Sequence, residues 1–441
     1  MSMPMGRRVR LSAMMFLQYA IHAVWFMQLA AYLEGKGLGG TEIGWVGNTA
    51  AIGAILAPIL VGMIADRFFA SERVLAVLNL AGAALLYWGS TISGGWEIGG
   101  LVISEAWAIF IVLLLQQACY MPTWAITNAI AMANCEDTER DLPPIRVFGS
   151  IGWVATALFG VVAVNLVGAE WDATPLPMVA GAILSALAGL FAFVLPHTPP
   201  PAKGEKTRLA DLLGLRALGL LKKPSFAVFI IVSMIAMIPF AAYWTFFSLY
   251  LKDLGVKIIS GTMHLGQLVE IFAMWLLLPI ALKKLGMKWT LVGGVVIMAL
   301  RYVFFMFGGA GPLMALNYLG VLVHGIVFSF FFISGFIYAD QAAPKGMRAQ
   351  AQSLVLLVTS GVGMLAGNWI NGAIVDAGLG WKTVWMIPAI ISGVLALLMI
   401  AAFHPAKRKP AEAAPETEPT APQDAPVPTE VPEGTGEDET A

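Results

Sequence analysis

The sequence is poor in charged residues. Only 12% of the 441 residues are Asp, Glu, Lys or Arg, and 59% are hydrophobic. A soluble domain carries roughly 25% charged residues, so this chain lacks about half of the charge that a water-facing surface needs. Most of the outer surface is therefore expected to face lipid. The net charge of −1 gives no indication of a nucleic-acid partner.

Cysteine and histidine are also scarce. The chain has 2 Cys and 5 His, too few for a Cys-rich metal site or a disulfide framework. The spans contain neither a His-Glu-x-x-His run nor another metal or nucleophile constellation. The sequence therefore predicts a protein that is not an enzyme and that needs no metal or cofactor.

Long apolar runs are the dominant feature, and each of the twelve has about the length of a tilted membrane-spanning helix. They lie at residues 11–33, 42–64, 73–94, 100–132, 145–168 and 176–196, and then at 225–250, 258–282, 289–309, 312–339, 349–375 and 382–403. The pattern predicts an all-α membrane protein with two six-helix bundles. The expected divisions are the first bundle (1–197), a cytoplasmic connecting loop (198–224), the second bundle (225–404) and a disordered, acidic, Pro-rich cytoplasmic tail (405–441).

The basic residues predict the orientation. Twenty of the 26 Lys and Arg residues fall in segments that would share one side of the membrane, and four fall on the other side. Because cytoplasmic loops carry an excess of Lys and Arg, both termini are expected in the cytoplasm. The predicted location is a bacterial inner membrane.

A short motif follows the second span. Gly62-x-x-x-Asp66-Arg67 resembles the signature loop between helices 2 and 3 of the major facilitator superfamily. The resemblance implies that Gly62, Asp66 and Arg67 form a latch at the cytoplasmic helix ends during alternating access. The other interpretation is that these residues merely lie at helix ends.

Several charged or polar residues lie inside the spans, where a charge is costly unless it faces a cavity or a partner. Glu270 has Gln267 one turn before it on the same helical face. A carboxyl in such a place is a candidate for exchanging a proton, with Arg301 and His324 as helpers. The alternatives are a Glu that is permanently protonated or paired, and a His that only joins helices.

The fifth span carries Arg146, Ser150 and Trp153 at positions i, i+4 and i+7, which form one helical stripe. A cation, a hydroxyl and an aromatic plate on one face suit a polar, ring-shaped solute. The alternative is that Arg146 extends to the headgroups and Trp153 packs at the interface.

Several segments resemble the nucleoside:proton symporter family of the major facilitator superfamily. They are Phe16-Leu17-Gln18-Tyr19, Tyr120-Met121-Pro122-Thr123, Asp141-Leu142-Pro143-Pro144-Ile145-Arg146, Phe328-x-Phe330-Phe331-x-Ile333-Ser334-Gly335 and Arg348-Ala349-Gln350-Ala351-Gln352. The resemblance implies that a nucleoside contacts Arg146, Ser150, Trp153, Gln267, Glu270 and Phe328. It also implies that Glu270 is central to proton coupling. Ala241, Trp244 and Ser329 stand where the family has Gln, Asn and Asp.

The same segments also resemble the lactose-type oligosaccharide:proton symporters. In those proteins the pattern Arg-x-Phe-Gly-x-x-Gly-Trp matches Arg146 to Trp153, and Arg301 and His324 have counterparts. The expected function is import of a nucleoside by proton symport through alternating access, by a monomer. A proton-coupled sugar permease and an uncoupled facilitator remain alternatives.

Overall fold

Helices make up almost the whole structure, a computed structural model that describes residues 3–60, 69–168, 170–200 and 213–405. The N-terminal half contains α1 (Met5–Gly35), α2 (Gly40–Leu60), α3 (Ser71–Thr91), α4 (Glu105–Ala133), α5 (Arg140–Val167) and α6 (Leu176–Ala192). The C-terminal half contains α7 (Pro224–Asp253), α8 (Ile259–Lys284), α9 (Gly286–Phe307), α10 (Gly311–Ala342), α11 (Arg348–Asp376) and α12 (Trp381–Ala402). A 3₁₀ segment, Leu215–Lys222, precedes α7.

The predicted fold class is confirmed. Within the described ranges, eleven helices are long and apolar enough to cross a membrane, and α6 is an apolar helix of 17 residues. The helices form two six-helix bundles, one from each half. Gly62, Asp66 and Arg67, the predicted latch residues, lie outside the described residues, as does almost all of the predicted tail.

The fourth span begins later than predicted. The prediction started it at residue 100, but a β-hairpin of β1 (Trp96–Ile98) and β2 (Leu101–Ile103) precedes α4. Gly99 and Gly100 form its turn with φ of +59° and +84°, a conformation that two-residue hairpin turns require and that glycine adopts without strain. Because apolar strand residues directly precede an apolar helix, the sequence shows one continuous apolar run. The predicted start of the span at residue 100 is wrong for this reason.

A buried polar network holds three helices of the N-terminal half together. Gln18 of α1 donates from Nε2 to the Thr123 hydroxyl of α4 at 2.5 Å, and its Oε1 accepts from Asn79 of α3 at 3.2 Å. The Tyr120 hydroxyl donates to the carbonyl oxygen of Gln18 at 2.7 Å. In lipid such groups have no water to bond, so they must satisfy one another.

The two halves approach closely where α2 meets α11. A Cβ added to Gly40 would lie 2.6 Å from the Gly372 carbonyl oxygen, and one added to Gly44 would lie 2.5 Å from that of Asn368. The spacing of four residues puts both glycines of α2 on one face. Small residues therefore allow the two backbones to touch, as is common between membrane helices.

Hydrogen bonds join the halves at the same end of the molecule, which is the predicted outer end. The Asp376 carboxylate accepts from the backbone N–H groups of Gly40 and Thr41 at 2.5 and 2.8 Å. The Asp172 carboxylate accepts from those of Ile259 and Ser260 at 2.8 and 3.2 Å. Burial raises the pKa of the Asp172 carboxyl to about 6, and these hydrogen bonds oppose the rise.

Inside the N-terminal half, close packing of α6 against α3 gives a test of the fold. A Cβ at Gly189 would lie 2.7 Å from Leu80 Cγ and 3.1 Å from the Ala76 carbonyl oxygen. We expect Gly189→Val to lower the free energy of unfolding by about 1–3 kcal/mol, because the α3–α6 contact has no room for the side chain. The measurement is the melting temperature of the purified protein in detergent.

Gly393→Val in α12 is the matched control, because a Cβ at Gly393 meets no atom within 4 Å. Equal melting temperatures for the two variants would contradict the packing described here.

Candidate functional site

Glu270 and His324 are brought together by two glycines at the α8–α10 contact. A Cβ at Gly266 would lie 2.9 Å from the Val321 carbonyl oxygen, and one at Gly325 would fall on the backbone of Glu270. The absence of side chains at these two positions lets the helix backbones touch. His324 Nε2 consequently lies 4.0 Å from Glu270 Oε2.

Arg301 of α9 completes this cluster from the other side of the His324 ring. Arg301 Nη1 lies 2.9 Å from His324 Nδ1. Arg can only donate, so Nδ1 accepts, and the neutral ring carries its hydrogen on Nε2, the atom that faces Glu270. His324 therefore separates Arg301 from Glu270. The three predicted proton-coupling residues form one contiguous group, in the order Glu270, His324, Arg301.

Aromatic side chains stabilise the positive charge of Arg301. Arg301 is fully buried, and Arg301 Nη2 donates to the Tyr302 hydroxyl at 2.6 Å. Its guanidinium lies over the rings of Tyr243 and Tyr302, 4.4 and 4.8 Å from their centroids. The Tyr302 hydroxyl in turn donates to the Pro239 carbonyl oxygen. Cation–π contacts and directed hydrogen bonds replace the water that the cation would otherwise require.

Gln267 lies one turn before Glu270 and is buried. Gln267 is 7% exposed, and among the residues that the structure describes neither its amide nitrogen nor its amide oxygen has a hydrogen-bond partner. An unpaired buried amide costs about 1–3 kcal/mol. Within the described part of the chain, both amide atoms are thus left available for a ligand.

Trp153 of α5 belongs to the N-terminal half and packs in an apolar core formed mainly by the C-terminal half. Its ring is buried and makes an edge contact with Trp124 at 6.5 Å between centroids. Gly149 and Gly152, on the same segment, are the points where α5 touches Tyr19 and the backbone of Phe16 in α1. This close approach fixes the position of the indole.

The other predicted binding residues lie at different depths. Arg146 is exposed and seven residues before Trp153, which is roughly 10 Å along the helix axis. Ser150 is half-buried between them. Phe328 of α10 is half-buried, with its ring 6.3 Å from that of His324.

Two π-helical segments lie next to these residues. Phe328 begins the segment Phe328–Ile333, and the segment Ala273–Leu277 follows Glu270 in α8. Such segments occur frequently at functional sites.

The structure adds residues that the sequence did not single out as site residues. The indole of Trp244 lies 6.1 Å from that of Trp153, between the halves. The Thr156 hydroxyl and His264 Nε2 are 3.1 Å apart, also across the halves. His22 stacks between Phe26 and Tyr120 in the N-terminal half. The resemblance marked Trp244 only as a departure from the family's Asn, and nothing in the sequence shows that its indole would meet Trp153.

In the part of the chain that is described, no group of three or more His, Cys, Asp or Glu side chains could hold a metal ion.

Known proteins match the chain over almost its full length. Residues 5–408 match the family described as nucleoside H+ symporter. YegT of Escherichia coli (strain K12), whose name marks it as a candidate nucleoside transporter, is 40% identical over 91% of this chain and 94% of its own length. The xanthosine permease of the same strain is 29% identical over 90% of this chain and 96% of its own.

A solved structure has the same fold. The crystal structure of the nucleoside transporter NupG superposes with a TM-score of 0.79 and 29% identity, and the match covers 92% of this chain and 100% of that one. The fold is that of a transporter, and the matching family and relatives are transporters and not enzymes. This chain belongs to the nucleoside H+ symporter family, within the major facilitator superfamily.

Proposed function

We propose that this protein imports nucleosides together with protons through alternating access of its two bundles. The observation that carries the proposal is the position of the Glu270–His324–Arg301 cluster beside the aromatic groups between the halves. A carboxyl that can exchange a proton therefore lies next to a surface that can hold a planar base. Transporters of this superfamily bind substrate near the middle of the membrane, between repeats that rock against each other.

Each residue has a proposed role. Trp153 and Phe328 offer aromatic surfaces to the base, and the Gln267 amide bonds its polar edge. Arg146 and Ser150 contact the sugar hydroxyls. Glu270 takes up a proton from the outer side and releases it on the inner side. After release, Nε2–H of His324 faces the ionised Glu270 carboxylate. Arg301 provides a fixed positive charge behind His324 and does not itself exchange a proton.

The proposal extends to location and assembly. We infer a bacterial inner membrane as its location and a monomer as its assembly. Both termini are expected in the cytoplasm, because the Lys and Arg residues concentrate in the segments on that side. Residues 1–197 and 225–404 are the two bundles, with a connecting loop at 198–224 and a tail at 405–441. The proton gradient is the only energy source required, without a cofactor.

Uptake into right-side-out membrane vesicles tests the function. We expect labelled uridine and adenosine to accumulate above the level of vesicles without the protein. A protonophore should reduce this accumulation to equilibration, because the gradient drives symport. Lactose is the third substrate, since Arg146, Trp153, Arg301 and His324 match the lactose-type symporters. Accumulation of lactose without nucleosides would favour the sugar permease, and indifference to the protonophore would favour a facilitator.

Glu270→Gln tests the coupling. The amide keeps the size of the side chain but cannot release a proton, so we expect accumulation against a gradient to be lost. Exchange of internal for external nucleoside should continue, because exchange needs no net proton movement. Glu97→Gln, in the exposed hairpin, is the control and should behave like the wild type. Full accumulation by Glu270→Gln would contradict the coupling role.

A further inference from the structure

Trp244 is the one residue from Pro239 to Leu251 that is not buried. Its neighbours Ala241, Tyr243 and Phe247 have no exposed surface at all. The indole packs against the apolar cores of both halves. A large aromatic side chain in the middle of a helix is therefore left partly open, at the boundary between the two bundles.

The rings around Trp244 connect the substrate region to the proton-coupling cluster. Trp153 of the N-terminal half lies 6.1 Å away between centroids, with an interplanar angle of 33°. His324 lies 5.8 Å away and close to parallel, at 27°. Because His324 also contacts Arg301 and faces Glu270, the contacts run without a gap from Trp153 through Trp244 to the cluster.

We propose that Trp244 is both a platform of the C-terminal half for the base, in addition to Phe328, and the residue that positions His324 according to whether the base is bound. This inference rests on the proposed function. A planar base held between two rings needs a spacing of about 7 Å, twice an optimal carbon–carbon contact of about 3.5 Å. Entry of a base therefore separates the two indoles and presses Trp244 toward His324.

The test compares Trp244→Leu, Trp244→Phe and the wild type in nucleoside exchange and in proton-driven uptake. Stacking of a base on an aromatic side chain is worth about 1–3 kcal/mol, so Trp244→Leu should raise the KM for uridine exchange about tenfold. Trp244→Phe keeps an aromatic face and should therefore retain most of the affinity for uridine that Trp244→Leu loses. The pH profile of uptake should also change in Trp244→Leu, because His324 loses the ring against it that also contacts Trp153 of the other half.

Trp275→Leu in α8 is the control, since that indole is 78% exposed and should affect neither KM nor the pH profile. A purely structural role for Trp244 would lower the melting temperature or the amount of protein and leave KM and the pH profile unchanged, which would overturn the inference. Absence of uridine exchange in the wild type would instead contradict the proposed substrate, and the platform role with it.

A second inference comes from the hydrogen bonds at the predicted outer end. Gly40 and Ile259 are the first residues of α2 and α8, where backbone N–H groups have no partner within the helix. Asp376, at the end of α11, accepts from the start of α2, and Asp172, after α5, accepts from the start of α8. In each half the fifth helix or the loop after it thus supplies a carboxylate to the second helix of the other half.

We infer that these two carboxylates form a reciprocal latch that holds the outer side closed. A carboxylate at a helix N-terminus gains from the helix dipole as well as from two hydrogen bonds. Both contacts must break when the bundles separate at this end. A third contact lies nearby, where Lys252 Nζ pairs with Glu34 and donates to the Ala31 carbonyl oxygen at 3.1 Å.

The latch is tested by labelling a cysteine beneath it with a membrane-impermeant maleimide added from outside. Ala30→Cys is suitable, because Ala30 is buried and lines a small cavity below the contacts. Cys119 and Cys135 are first replaced by Ser. We expect Asp172→Asn with Asp376→Asn to increase the labelling rate about tenfold, because an amide provides one acceptor oxygen instead of two and no charge. Each single variant should give an intermediate rate.

Glu97→Cys, in the exposed hairpin, is the accessibility control and should react at the same high rate in every background. An unchanged labelling rate at Ala30→Cys in the double variant would overturn the inference. Failure of Glu97→Cys to react would show that this end faces the cytoplasm and would equally overturn an outer latch. Melting temperatures separate opening of the latch from unfolding, because unfolding would also expose the Ala30→Cys thiol but would lower the melting temperature.

Discussion

The arrangement of the C-terminal half depends on one fixed charge, the guanidinium of Arg301. Arginine keeps its charge even when it is fully buried, so its surroundings must stabilise a cation at all times. The rings of Tyr243 and Tyr302 and the Nδ1 atom of His324 do so. The contact with Arg301 determines which nitrogen of neutral His324 carries its hydrogen. That choice directs Nε2–H toward Glu270, the residue proposed to take up and release the proton.

This geometry suggests how binding and proton movement are linked. Arg301 is separated from Glu270 by one imidazole ring, so it attracts the carboxylate without forming a direct ion pair that would prevent protonation. Small displacements of His324 change that attraction, and the indole next to His324 lies where the bundles meet. Coupling would then need no large rearrangement inside the C-terminal half. It would need only that a solute between the halves moves an aromatic ring against the histidine.

The contacts between the halves are of a kind that can break and re-form. Glycines bring α2 and α11 into backbone contact, and carboxylates bond the free N–H groups where α2 and α8 begin. Backbone donors at a helix end stay in place when a side chain leaves, and in the open state water can bond them. Such contacts can therefore break and re-form with little loss, which suits a surface that must separate in every transport cycle.

The sequence by itself determined the helices, because a span of about 20 apolar residues has few alternatives in lipid. It also indicated Glu270, Gln267, Arg301 and His324, since polar groups are costly in a span wherever they point. Only the tertiary structure decided which of them meet. Glu270 and His324 meet because of glycine contacts between α8 and α10, and Arg301 joins them from α9. The roles proposed for Trp244, Asp172 and Asp376 depend on partners more than 80 residues away in the sequence, which no local pattern specifies.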